Sequence, residues 1–244
     1  MADIQYNFIN LPSRIEFENG HVISYLYDAD GIKLRTTHII GSDTTVTDYC
    51  GNVIYENGIP VKLLTEAGYV TLADSKYHYF VQDHLGNNRV VVDQSGNVEE
   101  VNHYYPFGGL LSSSVSNAVQ PYKYNGKELD RKNGLDWYDY GARMYDAALG
   151  RWHAVDPMSE KYYGVSPYLY CANNPILLVD PNGMWPTWRG IRNGLNNALN
   201  TTLSFANGAV RAVTDNILLG STSLRETGIY SSVGAYNVGQ DVGD

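Results

Sequence analysis

The sequence predicts a mainly β fold: a curved sheet of antiparallel hairpins, then a turn-rich core plug, then a short α-helical C-terminal extension. Three observations predict it. Tyr (21 residues) and Gly (24 residues) are abundant in the 244-residue chain, while charged residues make up only 18%. Tyr buries a ring and keeps its hydroxyl hydrogen-bonded, which suits half-buried strands joined by tight turns. Short apolar-alternating runs are separated by Asp-Gly, Asn-Gly and Gly-Asn pairs, which tolerate the backbone of hairpin turns. Finally, no Tyr occurs between Trp185 and Ile229, and apolar spacing there becomes helical. That shift sets three regions: hairpin repeats over 1–121, a core over 122–184, and a variable extension over 185–244.

The elements follow in order. His21–Ile39 holds two alternating runs around Asp28-Ala29-Asp30-Gly31, and its Asp-Gly pair is a strong hairpin signal. Thr44–Asp74 continues the alternation through Cys50-Gly51-Asn52-Val53 and then Asn57-Gly58, the other preferred two-residue turn. Pro60, just after it, is tolerated at a strand start or on an edge. Tyr77–Gly109 places YHYFVQ and NRVVVD on either side of His84-Leu85-Gly86-Asn87, and turns again at Gly96-Asn97. Gly-Asn thus recurs at 51–52, 86–87 and 96–97 between Tyr-rich flanks, the mark of a degenerate repeat. Residues 111–120, LSSSVSNAVQ, read as a flexible loop. In the extension, Ile191, Leu195 and Leu199, then Phe205, Val210, Val213 and Ile217, suggest two short helices punctuated by Gly194, Gly208 and Gly220.

Composition also narrows the function. A formal net charge of −9 with no basic stripe argues against nucleic-acid binding by the core. Cys50 and Cys171 are far apart in sequence and read as two buried or idle thiols. The six His residues form no pair at metal-ligand spacing, so neither a metal nor a cofactor is expected. The N-terminus lacks a basic region followed by an apolar run, hence no signal peptide is read there, and no stretch approaches membrane-spanning length.

The densest Tyr, Gly, Asn and Asp run is Tyr122–Met184. Its pieces YNGKELD, YDYGARMYDAALGRWHAVDP, YLYCANNPI and VDPNGM, in that order, resemble the RHS repeat-associated core of bacterial polymorphic toxins. The hairpin units before it resemble YD repeats. The resemblance implies a scaffold that encloses or presents a C-terminal segment and cuts itself after a DPxG motif with an aspartic-protease-like pair. Carried to this sequence, the pair is Asp156 and Asp180, Arg151 matches the arginine of the GR…DP segment, and the cut falls between Met184 and Trp185, with Met184 in place of the usual leucine. Read from the residues alone, both Asp-Pro pairs are turn formers.

The resemblance further implies partners: the remainder of a longer RHS protein, reached by export or displayed at the cell surface, and an immunity protein. Arg131, Lys132 and Arg143 read as solvated or cross-strand paired. Tyr138, Tyr140, Tyr145, Tyr162, Tyr163, Tyr168 and Tyr170 read as strand packing or as a sugar-stacking face. Three functions therefore stand at this point. They are a toxin-core scaffold with at most one self-cleavage, a carbohydrate-binding or adhesion module, and an enzyme on external substrates, for which no residue set is visible. The chain's start within a repeat-like pattern suggests a piece of something longer.

Overall fold

The computed structural model describes residues 3–112, 114–116 and 120–184; the extension expected over 185–244 lies outside the described residues. Twelve strands form one antiparallel sheet in which every strand pairs with its neighbours in sequence. They are β1 (Asp3–Tyr6), β2 (Pro12–Glu16), β3 (Val22–Tyr27), β4 (Lys33–Ile40), β5 (Asp43–Cys50), β6 (Val53–Glu56), β7 (Ile59–Thr65), β8 (Gly68–Thr71), β9 (Lys76–Gln82), β10 (Asn88–Asp93), β11 (Val98–Val101) and β12 (Val115–Ser116). A second antiparallel sheet follows: β13 (Glu128–Asp130), β14 (Trp137–Asp139), β15 (Met144–Asp146) and β16 (Arg151–Trp152). The expected mainly β fold is the one observed.

The turns explain why the pairing is so local. Asn7, Asp28, Asp83 and Asp93 each accept, through one side-chain oxygen, the backbone N–H groups two and four residues on. The residue three positions after each has a positive φ: Asn10 at 61°, Gly31 at 84°, Gly86 at 78° and Gly96 at 85°. A five-residue pattern opened by Asp or Asn therefore carries its own hairpin turn. Asn57 (φ 52°) and Gly58 (φ 79°) form the expected two-residue turn between β6 and β7. Pro60 pairs with Tyr55 beside a register shift, where a missing N–H is tolerated. The loop expected over 111–120 proves to contain β12, paired through Glu100↔Ser116 and Val101↔Val115. Its small polar residues concealed an edge strand.

One face of the large sheet is buried, and its register can be followed across the strands. Ile15 faces Ile23, which faces His38; Tyr25 faces Thr36; Tyr69 faces His78; Val91 faces Glu100. All of these are buried. Several are polar because the second sheet covers this face with its own charged groups. Tyr25 Oη donates to Asp130 (3.0 Å), and His38 Nε2 lies 2.9 Å from the same carboxylate. Lys33 Nζ bridges Glu128 (2.8 Å) and Asp139 (2.7 Å), while Tyr49 Oη donates to Glu128 at 2.6 Å. Apolar contact comes from Leu135, Trp137 and Met144 packed on Ile15, Ile23 and Tyr25.

A second cluster gathers Tyr124, Leu129, Tyr138, Tyr140, Tyr145, Trp152, Tyr170 and Cys171, all buried. Its rings meet edge-on or stacked, for instance Tyr145 on Tyr170 at 4.0 Å and Tyr140 across Trp152 at 5.1 Å. Such pairs contribute about 0.5–1.5 kcal/mol each beyond area burial. The hydroxyls stay bonded: Tyr140 and Tyr170 both donate to Asn125 Oδ1, Tyr145 to the Phe107 carbonyl and Tyr138 to the Gly108 carbonyl.

Asp130 yields a pH prediction. Burial opposes its ionisation, but His38, the Lys132 backbone N–H and the Tyr25 hydroxyl outweigh that and hold its carboxyl below the usual range. A depressed folded-state value contributes stability that is present above the ordinary carboxylate range and lost as pH falls through the lowered value. The unfolding midpoint should drop on acidification below about pH 4. Thermal melts of Asp130→Asn beside the parent should show part of that drop removed.

Candidate functional site

The site forms where the end of the second region folds back on the bend between β14 and β15. Tyr140–Arg143 makes that bend, with the Tyr140 N–H bonded to the Arg143 carbonyl at 3.1 Å. Against it lies the turn Asp180–Met184. Ala142 N–H donates to Asn182 O (3.2 Å), and Lys127 Nζ donates to Pro181 O (2.6 Å). Asp180 Oδ1 accepts the N–H groups of Asn182 (3.2 Å), Gly183 (2.8 Å) and Met184 (3.2 Å). The Asp-Pro turn expected from sequence is therefore present, and its capping carboxylate is the same Asp180 that the resemblance singled out.

Arg143 organises what surrounds this turn. Its side chain is 1% exposed and lies over the Trp152 ring, 4.2 Å from the centroid. Nε donates to the Gly183 carbonyl (2.5 Å) and Nη1 to the Pro167 carbonyl (3.0 Å). Nη2 donates to Asp156 Oδ2 at 2.7 Å, and stands 3.7 Å from Asp180 Oδ2 and 3.5 Å from the Met184 carbonyl oxygen. One guanidinium thus touches both aspartates and the carbonyl of the bond under question. Only a planar fork with donors in fixed directions can serve so many acceptors at once.

The two aspartates sit in different surroundings. Asp156 is ion-paired to Arg143, and its Oδ1 caps the Met158 N–H at 2.7 Å. Asp180 is completely buried, and its Oδ2 has no hydrogen-bond partner among the described residues. Burial raises the Asp180 carboxyl above the usual range, against the opposing pull of the Asn182 and Gly183 N–H groups and of Arg143. A buried carboxyl whose proton is held more tightly than usual, beside one ion-paired to an arginine, is an arrangement that can separate an acid from a base.

Of the three residues the family resemblance singles out, Asp156 and Asp180 are both at this turn, and Arg151 is not. Arg151 is exposed on β16, across from Asp146, and forms no ion pair with either carboxylate among the described residues. Its neighbour Trp152 is 3% exposed, and successive strand residues point to opposite faces, so burying the indole turns Arg151 outward. Arg143, read as solvated or cross-strand paired, occupies the buried position instead. Arg131 does meet solvent, paired with Asp136 at 2.9 Å. Met184 is at the site, whereas Trp185 lies outside the described residues.

The thiols separate as well. Cys50 is exposed and Cys171 buried, and neither is in a disulfide. Burial pushes the Cys171 thiol up to about 12, which leaves it protonated and a poor nucleophile. Among the described residues no cluster of three or more His, Cys, Asp or Glu is placed to hold a metal, and no helix is long and apolar enough to cross a membrane.

Gly183 makes the site intolerant of side chains. Its φ is +76°, and a Cβ there would sit 3.1 Å from both Arg143 N and Tyr140 Cβ. Gly183→Ala should lower stability by about 1–2 kcal/mol. A reduced unfolding midpoint, measured calorimetrically, is the expected result.

Comparison with known proteins now decides the family. The Teneurin YD-shell family matches residues 63–176. Toxin subunit YenC1 of Yersinia entomophaga is 31% identical over 157 residues, covering 57% of this chain and 16% of that protein. The chain carries an RHS/YD-shell domain. Salivary gland surface protein 1 of Aedes aegypti is 32% identical over 196 residues, 70% of this chain and 6% of its own length. The fold matches that in a Photorhabdus luminescens Tc holotoxin pore with a TM-score of 0.64 at 22% identity, covering 76% of this chain and 10% of that one. The YD-shell chain thus spans well under a fifth of the length of these relatives.

Proposed function

We propose that this YD-shell chain is the RHS-core scaffold of a bacterial polymorphic toxin, a complete core or a remnant of one, and that it presents its C-terminal segment and releases it by one cut between Met184 and Trp185. The observation that carries the cut is Arg143 Nη2, shared by Asp156 (2.7 Å), Asp180 (3.7 Å) and the Met184 carbonyl (3.5 Å). The scaffold reading is supported by likeness to toxin subunits that are much longer than this chain. On this reading the chain works as part of a longer RHS protein, exported or displayed at the surface, with an immunity protein as partner.

The chemistry balances without a cofactor. Asp156, ionised, takes a proton from water as the water oxygen bonds to the Met184 carbonyl carbon. Asp180 gives its proton to the carbonyl oxygen. Arg143 holds the ionised carboxylate and lies where negative charge develops on that oxygen. In the second step the Met184–Trp185 C–N bond breaks. Asp156 returns a proton to the Trp185 nitrogen, and the gem-diol returns one to Asp180. General acid and base catalysis of this kind contributes about 10²–10⁴-fold.

The carbohydrate reading has little to stand on. Of the seven tyrosines considered for it, Tyr138, Tyr140, Tyr145 and Tyr170 are at most 2% exposed, so their rings are occupied by the core; Tyr163 (89%) and Tyr168 (40%) are exposed. Intact mass spectrometry of the purified full chain tests the cut. Two fragments meeting at Met184/Trp185 are expected, and a single uncut mass under refolding conditions from acid to neutral pH rejects it.

A further inference from the structure

Hydrolysis needs a water at the ionised carboxylate, and the two aspartates differ in their access to one. The Asp180 side chain is 0% exposed, whereas that of Asp156 retains 9%. A pocket of about 10 Å³ opens beside Asp156, lined in part by Ser159, Tyr162, Val165, Ser166 and Pro167. Neither Asp180 nor Arg143 lines it. That volume is about the room one water requires.

Its walls are tied to the site. Asp156 N–H donates to the Pro167 carbonyl (3.1 Å), which also accepts from Arg143 Nη1 (3.0 Å), and Ser159 N–H donates to the Asp156 carbonyl (2.9 Å). Asp156, Ser159 and Ser166 are the lining residues with polar side chains besides Tyr162, and Ser166 Oγ also accepts from the Tyr168 N–H at 3.4 Å. Among the described residues the Asp156 side-chain oxygens each make one hydrogen bond, Oδ2 to Arg143 and Oδ1 to the Met158 N–H, and a carboxylate has about four acceptor positions. Capacity to accept from a water therefore remains.

We propose that this pocket seats and supplies the hydrolytic water, with Ser159 and Ser166 as positioning residues and Asp156 as the carboxylate that deprotonates it. The proposal rests on the self-cleavage reading above. It also fixes the direction of the reaction: water arrives from the side of the 157–167 loop, while the proton donor Asp180 stays dry beneath the turn.

The test uses the full chain, purified in urea and started by dilution, with cleavage followed by intact mass over time. Ser166→Leu places an apolar side chain at the rim of the pocket, on an exposed position. It should slow the cut by about 10- to 100-fold with the parent's unfolding midpoint, and Ser166→Thr should restore the rate. Run in ¹⁸O-water, the parent should carry the label in the new Met184 carboxylate. A parent rate in Ser166→Leu at an unchanged midpoint overturns the pocket while leaving the cut intact. If Ser166→Leu shifts the midpoint, Ser159→Ala and Ser159→Thr replace it, and equal parent-like rates in both overturn the proposal. A parent that never cuts overturns both readings, as does a cut that takes up no label.

Discussion

Asp180→Asn should leave the chain whole while leaving the fold in place. Asparagine keeps the side-chain oxygen that accepts the N–H groups of Asn182, Gly183 and Met184, so the turn stays capped. What it loses is the titratable carboxyl that the proposed cut uses as its acid; Oδ2 is buried, has no hydrogen-bond partner among the described residues and lies 3.7 Å from Arg143 Nη2. Loss of a general acid should slow the cut by at least about a hundredfold, read by intact mass beside the parent. The parent should also show a signed pH dependence. Burial holds the Asp180 carboxyl above the usual range, so the reactive protonated form persists at mildly acidic pH and declines as pH rises through that raised value. The cutting rate should fall on the alkaline side, and a rate that climbs steadily with pH would contradict the assignment of Asp180 as the acid.

Arg143→Ala should have the largest effect on stability. It removes the partner of the Asp156 carboxylate, the donors to the Gly183 and Pro167 carbonyls and the cation over Trp152. Removing one member of a buried ion pair costs about 3–5 kcal/mol, since the remaining charge stays buried without compensation. Arg143→Lys separates charge from geometry. An ammonium keeps the positive charge but cannot direct donors at Gly183 O, Pro167 O and Asp156 together. Chemical denaturation should show Lys recovering part of the stability lost in Ala, with cleavage still slowed at least tenfold. Equal cleavage by parent and Lys variant would show that the fork geometry is not needed for the cut.

The part of this domain legible in sequence is the part whose physics is local. Asp28, Asp83 and Asp93, each followed three residues later by a glycine with positive φ, fix their own hairpins, because the cap and the turn lie within five residues of one another. The nearest-neighbour order of the twelve strands follows from such turns. The Asp180 turn is local for the same reason. β12 was missed because it is only Val115 and Ser116 within a small, polar run that carries little strand signal, and its place comes from pairing with β11.

Only the tertiary structure decided which charges lie inside. Lys33, His38 and Glu100 sit on the buried face of the large sheet because their partners Glu128, Asp130 and Lys123 arrive from far along the chain. The choice between Arg151 and Arg143 is of the same kind. Arg151 stands in the motif with Asp156, but Trp152 takes the inward face of that strand and the alternation of side chains leaves Arg151 outside. Arg143 is separated in sequence from Asp156, Pro167, Gly183 and Met184, and reaches all four once the 140–143 bend receives the 180–184 turn. The sequence by itself determined the hairpins, the capped turn and, through its family resemblance, the two aspartates. Folding determined the cation they share, because burying an arginine becomes favourable only where acceptors from several distant segments converge on it.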